Sequence, residues 1–380
     1  MEMAEKSIFR GDDVGGADHD KQSLLQYASF SIAGTSDQDS YKIGENYFCI
    51  CDGHGVNGQN ISKLIASKSF PKEGFSTERS KDEFSTTGDS ELQQLALQFW
   101  QEKGMEVRQV EGGMVQYKKP FEAKWRWDNT GGTTATFCQQ QRNQLHFSWV
   151  GDSEALVIEY VKRDGKLLTF ENVNPPHEPT SSSEIERMTR DFTMMEHQLE
   201  GRHHSEPHAF ARFCYDSQKR ELNGKKMSFP ISSVDSSNIE LMVAKGGYHK
   251  NVSGDWSTYV ITQPTPETED IYASDSKPAE LSVTRSFGDP LSYSSGVISK
   301  LDYRMYEINQ DPSIGTLVIM ASDGVWDNWV KEEMVTQFLE VHFVNGLQHA
   351  TKWLSEETHR RAVANFGRQH DDMTCIVKEF

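Results

Sequence analysis

Acidic residues stand at the tips of apolar strands in four places along this 380-residue chain. In Asn46-Tyr47-Phe48-Cys49-Ile50-Cys51-Asp52-Gly53-His54-Gly55 the first half is an aromatic and β-branched run that reads as a buried strand. It stops at Asp52, and the glycine at 53 lets the next carbonyl approach an ion closely. The apolar run 316–321 leads into Ser322-Asp323-Gly324 in the same way. Asp371-Asp372 directly precede the apolar run 373–377, and Asp37-Gln38-Asp39 precede Tyr41. Ionised carboxylates do not crowd together unless a cation neutralises them. With no His or Cys partner at ligand spacing, an all-oxygen set predicts a hard ion, Mg²⁺ or Mn²⁺, rather than zinc.

The elements that must carry these tips can be read in outline. Tyr27 to Ile32 reads as the first strand, and residues 61–66 have the spacing of a short helix. The charged, Ser/Thr-rich stretch 72–90 reads as a surface loop before an amphipathic helix running from Glu91 to Trp100. Gln116-Tyr117-Lys118-Lys119, with Lys124-Trp125-Arg126-Trp127 beyond, reads as an edge strand with solvated lysines; the alternative is contact with an anionic substrate. From Gly131 to Phe170 short strands follow one another across brief polar turns, which predicts antiparallel sheet. Residues 183–188 look like a capped short helix. Between 191 and 279 the pattern dissolves into a polar, His- and Ser-rich region. His197, His203, His204 and His208 match no standard metal spacing and read as surface histidines. Two amphipathic helices, near 332–343 and 347–364, precede the last strand.

The acidic tips run from Asp39 to Asp371, so their convergence requires both ends of the chain in one unit. The expected organisation is a mobile arm over 1–23 and a single catalytic domain over 24–380, with insertions at about 67–129 and 191–279. A net charge of −18 argues against nucleic-acid binding, which needs a basic footprint. No apolar run approaches the ~20 residues of a membrane helix, and the charged N-terminus has no signal core. Five cysteines without framework spacing predict reduced thiols, and hence a cytoplasmic or nuclear setting. Cys49 and Cys51 share one face of their strand and read as core.

The order of the motifs is informative. Asp37-Gln38-Asp39-Ser40, Asp52-Gly53-His54-Gly55, Gly131-Gly132-Thr133-Thr134-Ala135 and Gly151-Asp152-Ser153 come first. They are followed by Leu281-Ser282-Val283-Thr284-Arg285-Ser286-Phe287-Gly288-Asp289, Ala321-Ser322-Asp323-Gly324-Val325-Trp326-Asp327 and Asp371-Asp372-Met373-Thr374. This series resembles the metal-dependent protein phosphatases, the protein phosphatase 2C family. The resemblance implies an α+β fold: a four-layer α-β-β-α sandwich of two antiparallel sheets flanked by helices, whose flap is greatly enlarged in this chain by the insertion over 191–279. It implies hydrolysis of phosphoserine and phosphothreonine by a hydroxide bridging two Mg²⁺ or Mn²⁺ ions, with a third ion bound weakly. By position, Asp52 resembles the bridging carboxylate, with the Gly53 carbonyl on one ion and Asp323 and Asp371 on the other. Asp39 matches the residue that holds the metal-bound water, Asp152 the third site, and Asp327 and Asp372 supporting carboxylates. His54 matches the general acid, and its unperturbed pKa of about 6.5 suits that task. Arg285 and Asp289 are expected to be structural, buried-polar residues.

Two positions depart from the family pattern. Gln38 replaces a frequent glutamate, and Gly34 stands where many members hold the substrate phosphate with arginine. The expected partners are phosphoprotein substrates and a regulatory protein at the flap, with no nucleic acid or membrane, and the chain is expected to be a monomer. The competing readings are a pseudophosphatase that binds phosphoproteins without turnover, and another two-metal hydrolase such as a phosphodiesterase.

Overall fold

Period-two alternation sorts the apolar residues of ten strands onto the faces of two five-stranded antiparallel sheets. The computed structural model describes residues 27–190 and 280–380 apart from 35, 69–73, 111–113, 129, 180, 185, 189 and 368–369. Between those spans it describes 211–214, 229–230, 251–252 and 258–261.

One sheet has the order Tyr27–Ile32, Met373–Glu379, Ile314–Ala321, Glu154–Val161, Leu167–Asn172. The first and last described strands therefore pair, with Phe30 opposite Cys375. The other has the order Asp302–Glu307, Gln144–Val150, Ala135–Gln141, Tyr47–Cys51, Ser40–Ile43. Phe48, Ile50, Leu145 and Phe147 of this second sheet pack against Val157, Val318, Met320 and Ile376 of the first. The alternate residues point outward. Cys49, Cys51 and Phe137 meet the helices Gly58–Ser67 and Glu78–Glu102, so the two thiols are core residues as expected. Leu317, Ile319 and Ala321 meet Lys331–Asn345 and Leu347–Phe366. The result is the expected α-β-β-α sandwich. Among the described residues no helix is long and apolar enough to cross a membrane.

Three expectations need correction. The stretch 72–90 is not all loop, because a 25-residue helix begins at Glu78. The Thr77 hydroxyl caps it by accepting from the Ser80 amide at 3.1 Å. Its buried stripe includes Lys81, Ser85 and Gly88, residues that hide the helical period in a hydropathy reading. Phe84 anchors that half, with ring centroids 5.0, 5.4 and 5.8 Å from those of Phe75, Phe137 and Phe287. Second, Val115–Lys118 is the middle strand of a small sheet, between Glu106–Gln109 and Arg126–Trp127, and Lys118 pairs with Glu106 at 2.8 Å. Third, the region read as patternless contains Ala211–Cys214, Phe229–Pro230 and Thr258–Ile261, which join Glu280–Leu281 in a four-stranded sheet. The arm 1–23 and the four histidines 197, 203, 204 and 208 lie outside the described residues.

Candidate active site

The sheets stack so that two acidic tips from each face one end of the sandwich. Asp39 and Asp52 flank the hairpin Ser40–Ile43/Tyr47–Cys51 of one sheet. Asp323 follows Ile314–Ala321, and Asp371 precedes Met373–Glu379, adjacent strands of the other. Asp152 sits in the turn that carries the chain from Gln144–Val150 in one sheet to Glu154–Val161 in the other. Asp52, Asp152, Asp323, Asp371, Gly53 and His54 all line one open cavity of about 410 Å³. Asp39 is not among these lining residues, but its carboxylate lies close enough to Asp52, Asp323 and Asp371 to interact with all three.

The motifs hold these tips through hydrogen bonds to one another. Thr133 donates its hydroxyl and Thr134 its amide to the Asp52 carbonyl, both at 2.8 Å. The Thr134 and Ser153 hydroxyls are hydrogen-bonded at 2.8 Å, which ties the Asp152 turn to the same strand. Ser322 donates to Asp39 Oδ2 at 2.8 Å and accepts from the Thr374 amide at 3.0 Å. Asp372 is fully engaged behind the site. Its carboxylate accepts the amides of Gly34, Asp37 and Gln38 at 2.6, 3.0 and 2.6 Å and the Ser36 hydroxyl at 3.1 Å, fixing the loop that leads to Asp39.

Charge is concentrated here. Burial lifts the Asp52 carboxyl well above the usual range, and repulsion from Asp39, Asp323, Asp371 and Asp152 adds to it. Asp39 is pushed up to about 7, chiefly by burial and further by Asp372 and Asp323, against the hydrogen bonds from Ser322 and Thr374. Asp39 Oδ1 is buried with no hydrogen-bond partner. Desolvation, then the charge of Asp323, push Asp371 the same way, to about 8, against the hydrogen bond that its Oδ1 accepts from the Asp372 amide at 2.8 Å. Such a set fits a divalent cation in chemistry: the donors are all oxygen, and one buried oxygen has nothing else to bind. Among the described residues, no three His, Cys, Asp or Glu side chains already converge as a finished ligand shell.

His54 is partly exposed to the cavity, and its Nε2 lies 2.7 Å from Oδ2 of Asp289. Burial lowers the imidazole pKa, but the charge and hydrogen bond of Asp289 outweigh it and the net shift is upward. Asp289, expected as purely structural, is thus part of the cavity wall. Arg285 is not among the lining residues. It sits in a buried network with Glu184, Arg187 and Asp302, where Glu184 accepts from both guanidinium groups. His177 extends the network, reaching Asp302 through Nε2 at 3.1 Å and accepting the Gly151 amide at Nδ1, also 3.1 Å. Asp327 is partly buried after the short helix Asp323–Trp326, its amide bonded to the Asp323 carbonyl at 2.8 Å.

The sequence model of protein phosphatase 2C matches residues 15–212, just over half of the chain. The chain belongs to the protein phosphatase 2C family. Asp39, Asp52 and Asp152 fall inside the matched span, and Asp323 and Asp371 beyond it. The serine-threonine phosphatase 2C of Toxoplasma gondii superposes with a TM-score of 0.52 at 14% identity, over 94% of this chain and 95% of that one. A serine/threonine phosphatase of Mycobacterium tuberculosis gives a TM-score of 0.45 at 14% identity, over 93% and 98% of the two chains. A search of curated protein sequences finds no match. The protein phosphatase 2C sandwich is therefore the fold of this chain.

The two departures from the family pattern have local structural causes. A Cβ at Gly34 would run into the backbone carbonyls of His370 and Asp371, so the segment leading into the last strand passes too close for any side chain. Gln38 donates its amide to the Gly55 carbonyl at 2.5 Å, tethering the loop after His54; a glutamate there could not donate. Among the described lining residues there is no Lys or Arg.

Proposed function

We propose that this protein is a Mg²⁺- or Mn²⁺-dependent serine/threonine protein phosphatase. The observation that carries the reading is the meeting of Asp52, Asp152, Asp323 and Asp371, drawn from both sheets, in one cavity with His54. On this reading Asp52, the Gly53 carbonyl, Asp323 and Asp371 hold two cations, and Asp152 with Asp323 offers a weaker third position. When bound, such ions neutralise the phosphoryl oxygens and acidify a water at neutral pH.

The chain's own groups do the rest. Asp39 Oδ1, buried and unpartnered, accepts a hydrogen bond from the attacking water and orients it. Attack in line with the leaving oxygen expels a serine or threonine alkoxide, which needs a proton. His54, held by Asp289 and kept protonated to higher pH by it, supplies that proton. Asp372 keeps the loop from Gly34 to Gln38 fixed beneath the substrate. Phosphoprotein substrates, a regulatory partner at the flap, a single catalytic domain and a cytoplasmic or nuclear location belong to the same proposal.

The decisive measurement is phosphate release from a phosphothreonine peptide with and without Mn²⁺. Turnover that appears with Mn²⁺ and disappears in Asp52→Asn supports the reading. Peptide binding without turnover would establish instead a phosphoprotein-binding pseudophosphatase, a reading favoured by the missing Arg at Gly34 and the absence of Lys and Arg from the described wall.

A further inference from the structure

The small sheet beside the cavity aligns three motifs in one row. Gly132 pairs with His54 on one side and with Gly288 on the other. Asp289 follows Gly288 with a left-handed backbone, φ +54°, and donates its amide to the Gly131 carbonyl at 3.1 Å. That turn sends its carboxylate back across the row. A Cβ at residue 132 would run into Asp289 Oδ2 and the Phe287 carbonyl, so only glycine leaves the crossing open. On the far side the carboxylate meets His54 Nε2 at 2.7 Å, and the Ser286 hydroxyl donates to the same oxygen at 2.7 Å. Asp289 is 4% exposed, so water competes little for this contact.

We propose that Asp289 is the positioning residue for His54 and that Gly132 exists to let it reach. The pairing commits Nε2 to the buried carboxylate and leaves Nδ1 as the nitrogen for the cavity. Asp289 acts only through the imidazole and touches no reacting atom. The same contact joins a glycine pair to a Ser-Phe-Gly-Asp turn about 150 residues away in the chain. The assignment rests on the phosphatase reading above for what His54 does, but not for how its ring is held.

The test compares Asp289→Asn and His54→Gln with wild-type full-length protein in Mn²⁺. One substrate is a phosphothreonine peptide, whose alkoxide needs a proton, and the other is p-nitrophenyl phosphate, whose phenolate does not. We expect Asp289→Asn to lower kcat on the peptide about 10- to 100-fold, in the manner of lost orienting partners. Turnover of the aryl ester should stay within about threefold of wild type, because proton donation contributes little to that step. In metal-free protein, ¹⁵N spectra of the imidazole should show Nε2–H as the dominant neutral tautomer, and Asp289→Asn should abolish that preference. Equal losses on both esters, or an unchanged imidazole spectrum, overturn the proposal. If Asp289→Asn does not fold, Ser286→Ala must give the same split at smaller size, and its absence overturns the proposal too. Wild-type protein that turns over neither ester overturns the phosphatase reading alone, and the spectrum still decides the pairing.

Discussion

Replacing Glu184 by glutamine should expose how much stability sits in the ion network behind the Asp152 turn. The Glu184 side chain is fully buried and accepts from Arg187, Arg285 and the Thr284 hydroxyl at 2.5 to 3.0 Å. Burial alone would raise its pKa, but the two guanidinium groups prevail and hold it down at about 2, from an ordinary 4.5. A carboxyl moved that far holds about 3 kcal/mol of pH-dependent stability. The folded-state pKa is depressed, so the contribution is present above about 4.5 and is lost as pH falls through about 2. Glutamine removes the charge and leaves two buried guanidinium groups with Asp302 as remaining counter-charge, and Asp302 is 43% exposed. Breaking a buried pair in this way costs about 3–5 kcal/mol. Urea unfolding of wild type and Glu184→Gln at a series of pH values measures the difference. The gap should be about 3 kcal/mol or more at pH 7 and should narrow from pH 4.5 downwards. A gap under about 0.5 kcal/mol at pH 7, the scale of an ordinary surface change, refutes the reasoning, as does a gap that ignores pH.

Other residues make separate demands. Asp52→Asn should remove Mn²⁺-dependent turnover and the shift in melting temperature on adding Mn²⁺. Because the folded-state pKa of Asp52 is raised, wild type loses stability as pH rises above about 3.8 toward that pKa. The metal-free variant should therefore be the more stable protein at pH 7.5, and calorimetry that finds it less stable contradicts this. Phe84→Ala empties the centre of the four-phenylalanine cluster and should cost about 3–5 kcal/mol in chemical unfolding. A loss below about 1 kcal/mol would mean that residues 78–90 do not pack as described. Gly34→Arg restores the family's usual residue, yet it should destabilise by about 1–3 kcal/mol and leave KM for a phosphopeptide no better. A lower KM with unchanged melting temperature would show that the backbone at 370–371 can move aside.

How far the sequence could be read depended on whether each signal was local. Asp52, Asp323 and Asp371 stand next to apolar strands, so period-two patterning located them and the sandwich geometry then brought them together. Cys49 and Cys51 followed from the same alternation. The first half of the helix Glu78–Glu102 is hidden in the sequence because its buried face uses Lys81, Ser85 and Gly88, and the partners of the last two, Ser299 and Phe287, lie some 200 residues away. No window over 72–90 holds that information. The central position of Val115–Lys118 was missed for a related reason, since both of its partner strands are short and polar.

Asp289 shows the limit most sharply. Taken alone it is a polar residue after a Phe-Gly turn, and a structural role is the economical reading. Its relation to His54 passes through a third strand and depends on the side chain that Gly132 lacks. Residue types do carry one clue to it: two adjacent glycines opening a strand otherwise rich in threonine and alanine require that something approach the backbone there. What approaches is a carboxylate, and where it ends is an imidazole at the rim of an acidic cavity. A glycine kept for close approach is therefore as much a part of this site as the groups that carry charge, and Gly132→Ala should disturb His54 without altering a single polar atom.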